Sequence, residues 1–81
     1  MKEDYIEISD FSLVSVLVGC LGFPIVKMKE DLNERSKVIF VFLKTKEMEQ
    51  AIDEFWAGSL RVEPKSYWSA IREIKSRIRM K

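Results

Sequence analysis

Eighty-one residues, nearly half of them apolar and a third charged, make one small globular domain and exclude a disordered chain. The absence of histidine removes the commonest general base and the commonest zinc ligand, and a single cysteine, Cys20, excludes an intramolecular disulfide. The net charge of +1 hides an acidic front and a basic end: residues 1–10 carry −3, residues 45–57 carry −3, and residues 61–81 carry +5. Such asymmetry points either to contact with nucleic acid or to opposite patches that meet one another within the fold.

In chain order, Tyr5–Ile8 alternates as a short edge strand. Ser9 or Asp10 follows as an N-cap, because a short side-chain oxygen accepts a free backbone N–H there. Phe11–Leu21 is rich in β-branched valines, which favour a strand, but its spacing favours a helix. On a helix Leu13, Val14, Leu17, Val18 and Leu21 share one face. Ser12, Ser15 and Gly19 share the other, as a polar outer face or as a small-residue surface that lets another backbone come close. Gly22 closes this helix as a residue free to take positive φ. The uncharged run from Phe11 to Val26 is 16 residues long. It is shorter than a usual membrane span and holds Ser12, Ser15, Gly19, Gly22 and Pro24, so it reads as a buried helix followed by a strand. The acidic N-terminus has no basic n-region, so no secretory signal is expected.

Phe23–Lys29 reads as a strand entered through Pro24 at an edge. Glu30–Ser36 is a charged turn. Lys37–Lys44 is the clearest strand, apolar on both faces from Val38 to Leu43, and therefore central: covered on both sides, or capped on one side by a partner. Thr45 caps a second helix over Lys46–Ala57, with Met48, Ala51, Ile52, Phe55 and Trp56 as its buried face and Gly58 at its end. After a crossing segment, Pro64 opens a last helix to Lys81 at a position where its missing N–H costs nothing. The order β-α-β-β-α-α predicts an α+β fold: a small antiparallel sheet of two or three strands packed with three helices.

No catalytic set emerges. Glu47, Glu49, Asp53 and Glu54 form the densest carboxylate group, but no histidine, asparagine or glycine loop completes a metal or acid–base site, and a solvated helix face accounts for them. Cys20 has no base to activate it, and its apolar run raises a thiol pKa, so it reads as a buried structural cysteine. No phosphate-cradling glycine loop is present. An enzyme is not expected, nor a cofactor or a metal.

The last helix carries the best functional candidate. At about 100° per residue, Tyr67, Ile71, Ile74 and Ile78 form its packing seam. Lys65, Trp68, Arg72, Lys75 and Arg79 fall within an arc of about 80° beside it. Cations at this spacing neutralise phosphates, and an aromatic among them stacks on an unpaired base. The plainer reading of the same residues is a solvated flank, with Trp68 at the edge of the core and its ring covered by Arg72. Glu73 and Arg77 read as a structural i,i+4 pair.

One family shares these features. The run Tyr5…Ser9-Asp10-Phe11…Leu13…Leu17…Gly22, then Val38-Ile39-Phe40-Val41-Phe42, Phe55-Trp56-Ala57-Gly58 and Tyr67…Ala70-Ile71…Ile74-Lys75-Ser76…Ile78, resembles the small family numbered 5659 among the domains of unknown function. The resemblance covers nearly the whole chain. It implies the fold above and a bacterial, phage or mobile-element setting, and it contributes no catalytic residue. The closing Arg77-Ile78-Arg79-Met80-Lys81 is more basic than the usual end of that family. The expected protein is thus a non-enzymatic, cytoplasmic accessory module that contacts RNA or DNA through the flank of its last helix. The alternative is a protein–protein adaptor or inhibitor that docks through exposed aromatics or a sheet edge.

Overall fold

The computed structural model describes residues 4–33 and 37–79. Its elements are β1 (Tyr5–Ile8), α1 (Phe11–Ser15) continuing as a π-helical turn (Val16–Cys20), β2 (Lys27–Glu30), β3 (Val38–Leu43), α2 (Lys46–Ala57) and α3 (Pro64–Arg79). The strands form one antiparallel sheet in the order β1-β3-β2. This is the expected α+β fold, with the apolar strand in the middle.

The register explains the core. Phe40 lies between Ile8 and Met28, and Phe42 lies opposite Ile6. Side chains alternate along a strand, so Phe40 and Phe42 point to the helices and both are buried. They join Ile8, Leu13, Val14, Leu17, Met48, Ala51 and Ile74 in one cluster, to which each helix contributes. Val41 points the other way, between Glu7 and Lys27. On that face Lys29 reaches across β3 to Glu7 at 2.6 Å. Both ends of this bridge are exposed, so it is worth at most about 1 kcal/mol. Helices therefore cover one face of β3. The other carries a shallow concavity of about 370 Å³ lined by Tyr5, Glu7, Val26, Lys27, Lys29 and Val41.

Of the two candidate caps before the first helix, Asp10 serves. Its carboxylate accepts from the Leu13 N–H at 3.0 Å and from the Ser12 hydroxyl at 2.7 Å. These hydrogen bonds, the Ser12 hydroxyl first, hold the carboxyl below its ordinary pKa. A depressed folded-state pKa means that the cap contributes fully above the unfolded value and is lost as pH falls through the folded one. Asp10→Ala is therefore expected to cost about 0.5–2 kcal/mol at pH 7. In urea titrations by circular dichroism the gap from wild type should close as the pH falls below 4, and a gap independent of pH would contradict the cap.

The helix that follows departs from the expected regular α-helix. After Ser15 it widens into a π turn, closed by the Leu21 N–H donating to the Val16 carbonyl, five residues back, at 3.0 Å. Gly22 takes φ 77°, and the Phe23 N–H donates to the Leu17 carbonyl at 2.9 Å. That closure spans six residues, one more than the five of an ordinary glycine-ended helix. It also delays the next strand. Phe23 has spent its N–H on the helix and Pro24 has none, so ladder bonding starts with the Val26 N–H on the Val41 carbonyl at 2.8 Å. β2 accordingly covers Lys27–Glu30 and not Phe23–Lys29. Glu30 thus belongs to the strand. In the turn beyond it the Asn33 N–H donates to the Asp31 carboxylate at 2.8 Å, and residues 34–36 of the expected turn lie outside the described residues.

The later helices follow the sequence closely. Thr45 Oγ1 accepts from the Met48 N–H at 3.1 Å, and Gly58 ends α2 at φ 76°. Met48 and Ala51 are buried, but Trp56 is 62% exposed and not part of the buried face. It stands edge-on against Phe55, with ring centroids 4.9 Å apart. At the start of α3 the Glu63 carboxylate accepts from the Lys65 and Ser66 N–H groups at 3.0 and 2.8 Å. Among the described residues, no helix is long and apolar enough to cross a membrane.

Candidate nucleic-acid interface

The orientation of α3 is set where it crosses the first helix. Ala70 and Ile74 are buried, with Tyr67, Ile71 and Ile78 half-buried beside them. This is the expected seam with Ala70 added. At the crossing Gly19 faces Ala70 so closely that a Cβ on Gly19 would lie 2.1 Å from the Ala70 Cβ. Ser15 is fully buried and its hydroxyl donates to the Phe11 carbonyl at 2.9 Å. Ser15 and Gly19 thus form the small-residue surface, not a polar outer face. Tyr67 adds a hydroxyl donated to the Ser12 carbonyl at 3.3 Å.

With the seam fixed inward, the basic flank must face out. Arg72, Lys75 and Arg79 are all exposed and, with Ser76, line a shallow cradle of about 300 Å³. All four belong to one helix, so the cradle is the space between long side chains one turn apart. Rises of about 4.5 and 6 Å separate the three cations along the axis. Among the described residues none of the three forms a salt bridge, whereas Arg77, on the opposite flank, is spanned by Glu73 at 3.1 Å as expected. Two guanidinium groups and an ammonium with their charge unspent suit phosphate oxygens, since guanidinium donates in a fork that matches them.

Trp68 lies one turn before Arg72 and is 61% exposed. It is not core, and no cation–π contact with Arg72 forms among the described residues. Lys65 lies on the same flank but outside the cradle, near the Glu63 carboxylate that caps the helix. The structure therefore brings together Arg72, Lys75 and Arg79; Trp68 and Lys65 share their flank of the helix but do not line the cradle, Trp68 lying one turn before Arg72. Ser76 escaped the sequence reading because it sits just past the basic arc and carries no charge.

Among the described residues no ion pair joins either acidic block to the basic one. Glu49 of α2 pairs with Lys44 at 3.8 Å, and Glu54 accepts from Gln50 at 3.2 Å. Among the described residues the carboxylates of α2 thus form no ion pair with the α3 flank. Among the described residues no group of His, Cys, Asp and Glu is placed to hold a metal ion. Cys20 is half-buried and not enclosed. Desolvation, and then the nearby Glu63 charge, push its thiol pKa up, which disfavours the reactive thiolate.

These elements match a known family over nearly their full extent. The chain belongs to the family described as Domain of unknown function (DUF5659), whose model matches residues 3–80. The match runs from β1 through α3, so the cradle and Trp68 lie inside the family unit. No curated protein and no solved structure matches the chain.

Proposed function

We propose that this protein is a non-enzymatic accessory module that binds RNA or DNA through the exposed flank of α3, in the cytoplasm of a bacterium or of a phage-infected cell. The observation that supports this most is the unpaired set Arg72, Lys75 and Arg79, gathered on one cradle with an open tryptophan beside it. A merely solvated flank would gain from carboxylates among its cations, as Glu73 serves Arg77 on the other side. Binding is electrostatic in the first instance, so it depends steeply on salt.

The test is a gel shift or fluorescence titration with RNA and DNA at two salt concentrations. The triple variant Arg72→Gln, Lys75→Gln, Arg79→Gln should stay folded and melt within about 12 °C of wild type, since exposed changes cost within about ±0.5 kcal/mol each and 1 kcal/mol shifts a domain of this size by about 4–8 °C. It should lower the slope of log K against log salt by about 2–3, at 0.7–0.9 per lost phosphate contact. Absence of binding by wild type at low salt would sink this reading. An adaptor that docks through the open sheet face would then replace it, because Tyr5, Val26 and Leu43 are exposed on or beside that face. Such docking would be insensitive to salt.

A further inference from the structure

We infer that the α3 flank selects single-stranded over duplex nucleic acid, with an unpaired base stacked on Trp68 and the following phosphates laid along Arg72, Lys75 and Arg79. This rests on the proposed nucleic-acid reading and adds the class of ligand. Charge alone does not distinguish a duplex from a single strand, because both present phosphates. The indole does. Bases in a duplex are stacked on one another and offer no free face, whereas a single strand offers a π-face at each nucleotide.

Three observations place the stack. Trp68 is 61% exposed, so its ring is available without rearrangement of the core. It sits on the same arc as the cradle, and Arg72 is the next residue one turn along. Arg79 lies 11 positions after Trp68 on the helix, about 16.5 Å along the axis at 1.5 Å per residue. That length accommodates at most about five stacked nucleotides at 3.4 Å each. A footprint this short fits one base anchor and about three phosphates, one for each cation. The three cations meet phosphates of either form, so the selection rests on the exposed indole at the end of their strip. Trp56, the other tryptophan, is equally exposed but lies on the acidic α2, where Glu49, Asp53 and Glu54 would repel a phosphate chain. The two indoles therefore differ in charge environment, which makes Trp56 an internal control.

The experiment uses the full chain with Trp56→Phe, so that Trp68 is the one tryptophan and its emission is read apart from that of Tyr5 and Tyr67. It is titrated with an eight-nucleotide oligo-uridine, an eight-nucleotide oligo-thymidine, a duplex of matched phosphate number, and an oligonucleotide with abasic sites that keeps the phosphates and loses the bases. Quenching of Trp68 by both single strands and not by the duplex is expected, together with tighter binding of the single strands. Trp68→Ala should weaken single-strand binding about 5- to 150-fold, the range of one base–aromatic stack, and leave the salt slope unchanged. Trp68→Phe, which keeps a ring, should recover most of the loss. The abasic strand should bind wild type as weakly as the normal strand binds Trp68→Ala. A preference for uridine over thymidine strands would assign the natural ligand to RNA, and the reverse to DNA; either supports stacking. Equal affinity for duplex and single strand with Trp68 emission unmoved would overturn this inference and leave the proposed function standing. No binding of any strand at low salt would overturn both.

Discussion

Phe40→Ala is expected to remove about 3–5 kcal/mol of stability, the usual cost of deleting a buried phenyl ring from a packed core. The ring is 1% exposed and lies at the centre of the sheet, between Ile8 and Met28 on the flanking strands. A chain of this length has roughly 4–12 kcal/mol in all, at 0.05–0.15 per residue. The variant should therefore melt at least about 12 °C lower, since 1 kcal/mol shifts a domain of this size by about 4–8 °C. Urea denaturation followed by circular dichroism should show a lower midpoint at unchanged slope. Val41→Ala supplies the contrast. Val41 is also buried, but under the exposed side chains of the outer sheet face, which can settle into the space left behind. It should cost less. Equal losses at the two positions would mean that the outer face is packed as tightly as the core.

The fold was legible where single residues dictate local geometry. Thr45 and Gly58 bracket α2 because one hydroxyl satisfies a free N–H and one glycine accepts positive φ. Pro64 opens α3 on the same logic. The central place of β3 follows from its unbroken apolar run, which no edge strand could hide. The π turn was not legible, because an i→i+5 bond leaves no mark in apolar spacing and depends on what the helix packs against. Nor was the late start of β2, which depends on a hydrogen bond from Phe23 back into that π turn.

The site divides the same way. Arg72, Lys75 and Arg79 share a face by helical period alone, and an exposed face needs no tertiary knowledge. The exposure of Trp56 and Trp68 did need it. Both indoles sit at the borders of apolar stripes, and only the position of neighbouring elements decides whether a border residue is covered. The pairing of charge blocks needed it too. Acidic and basic segments adjacent in sequence invite mutual neutralisation, but the described ion pairs join each block to near neighbours and leave the α3 flank unspent.

Gly19→Ala should destabilise the protein although it replaces glycine within a helical segment. On propensity alone, alanine would gain about 1 kcal/mol there. The crossing opposes it, because the new methyl would stand 2.1 Å from the Ala70 Cβ and 2.9 Å from its Cα. Neither atom is the free end of a flexible chain, so α3 as a whole must shift outward. Overpacking of this kind costs about 1–3 kcal/mol, and displacement of α3 also draws Ile74 from the core. The net loss should reach up to about 2 kcal/mol once propensity is offset. Gly19→Leu should exceed it and leave the two helices unable to meet. Ala70→Gly in the Gly19→Ala background removes the 2.1 Å clash but not the 2.9 Å contact with the backbone. It should thus restore only part of the loss, while adding the cost of a glycine inside α3, and a double-mutant cycle of unfolding free energies should read a coupling between the two sites. Because α3 carries the cradle on its far side, the same shift is rigid-body for Arg72, Lys75 and Arg79. Any nucleic-acid affinity of Gly19→Ala, measured well below its melting temperature, should stay close to wild type. Additive losses in the cycle would show that the helices do not touch at Gly19 and Ala70, and the placement of α3 would fail with them.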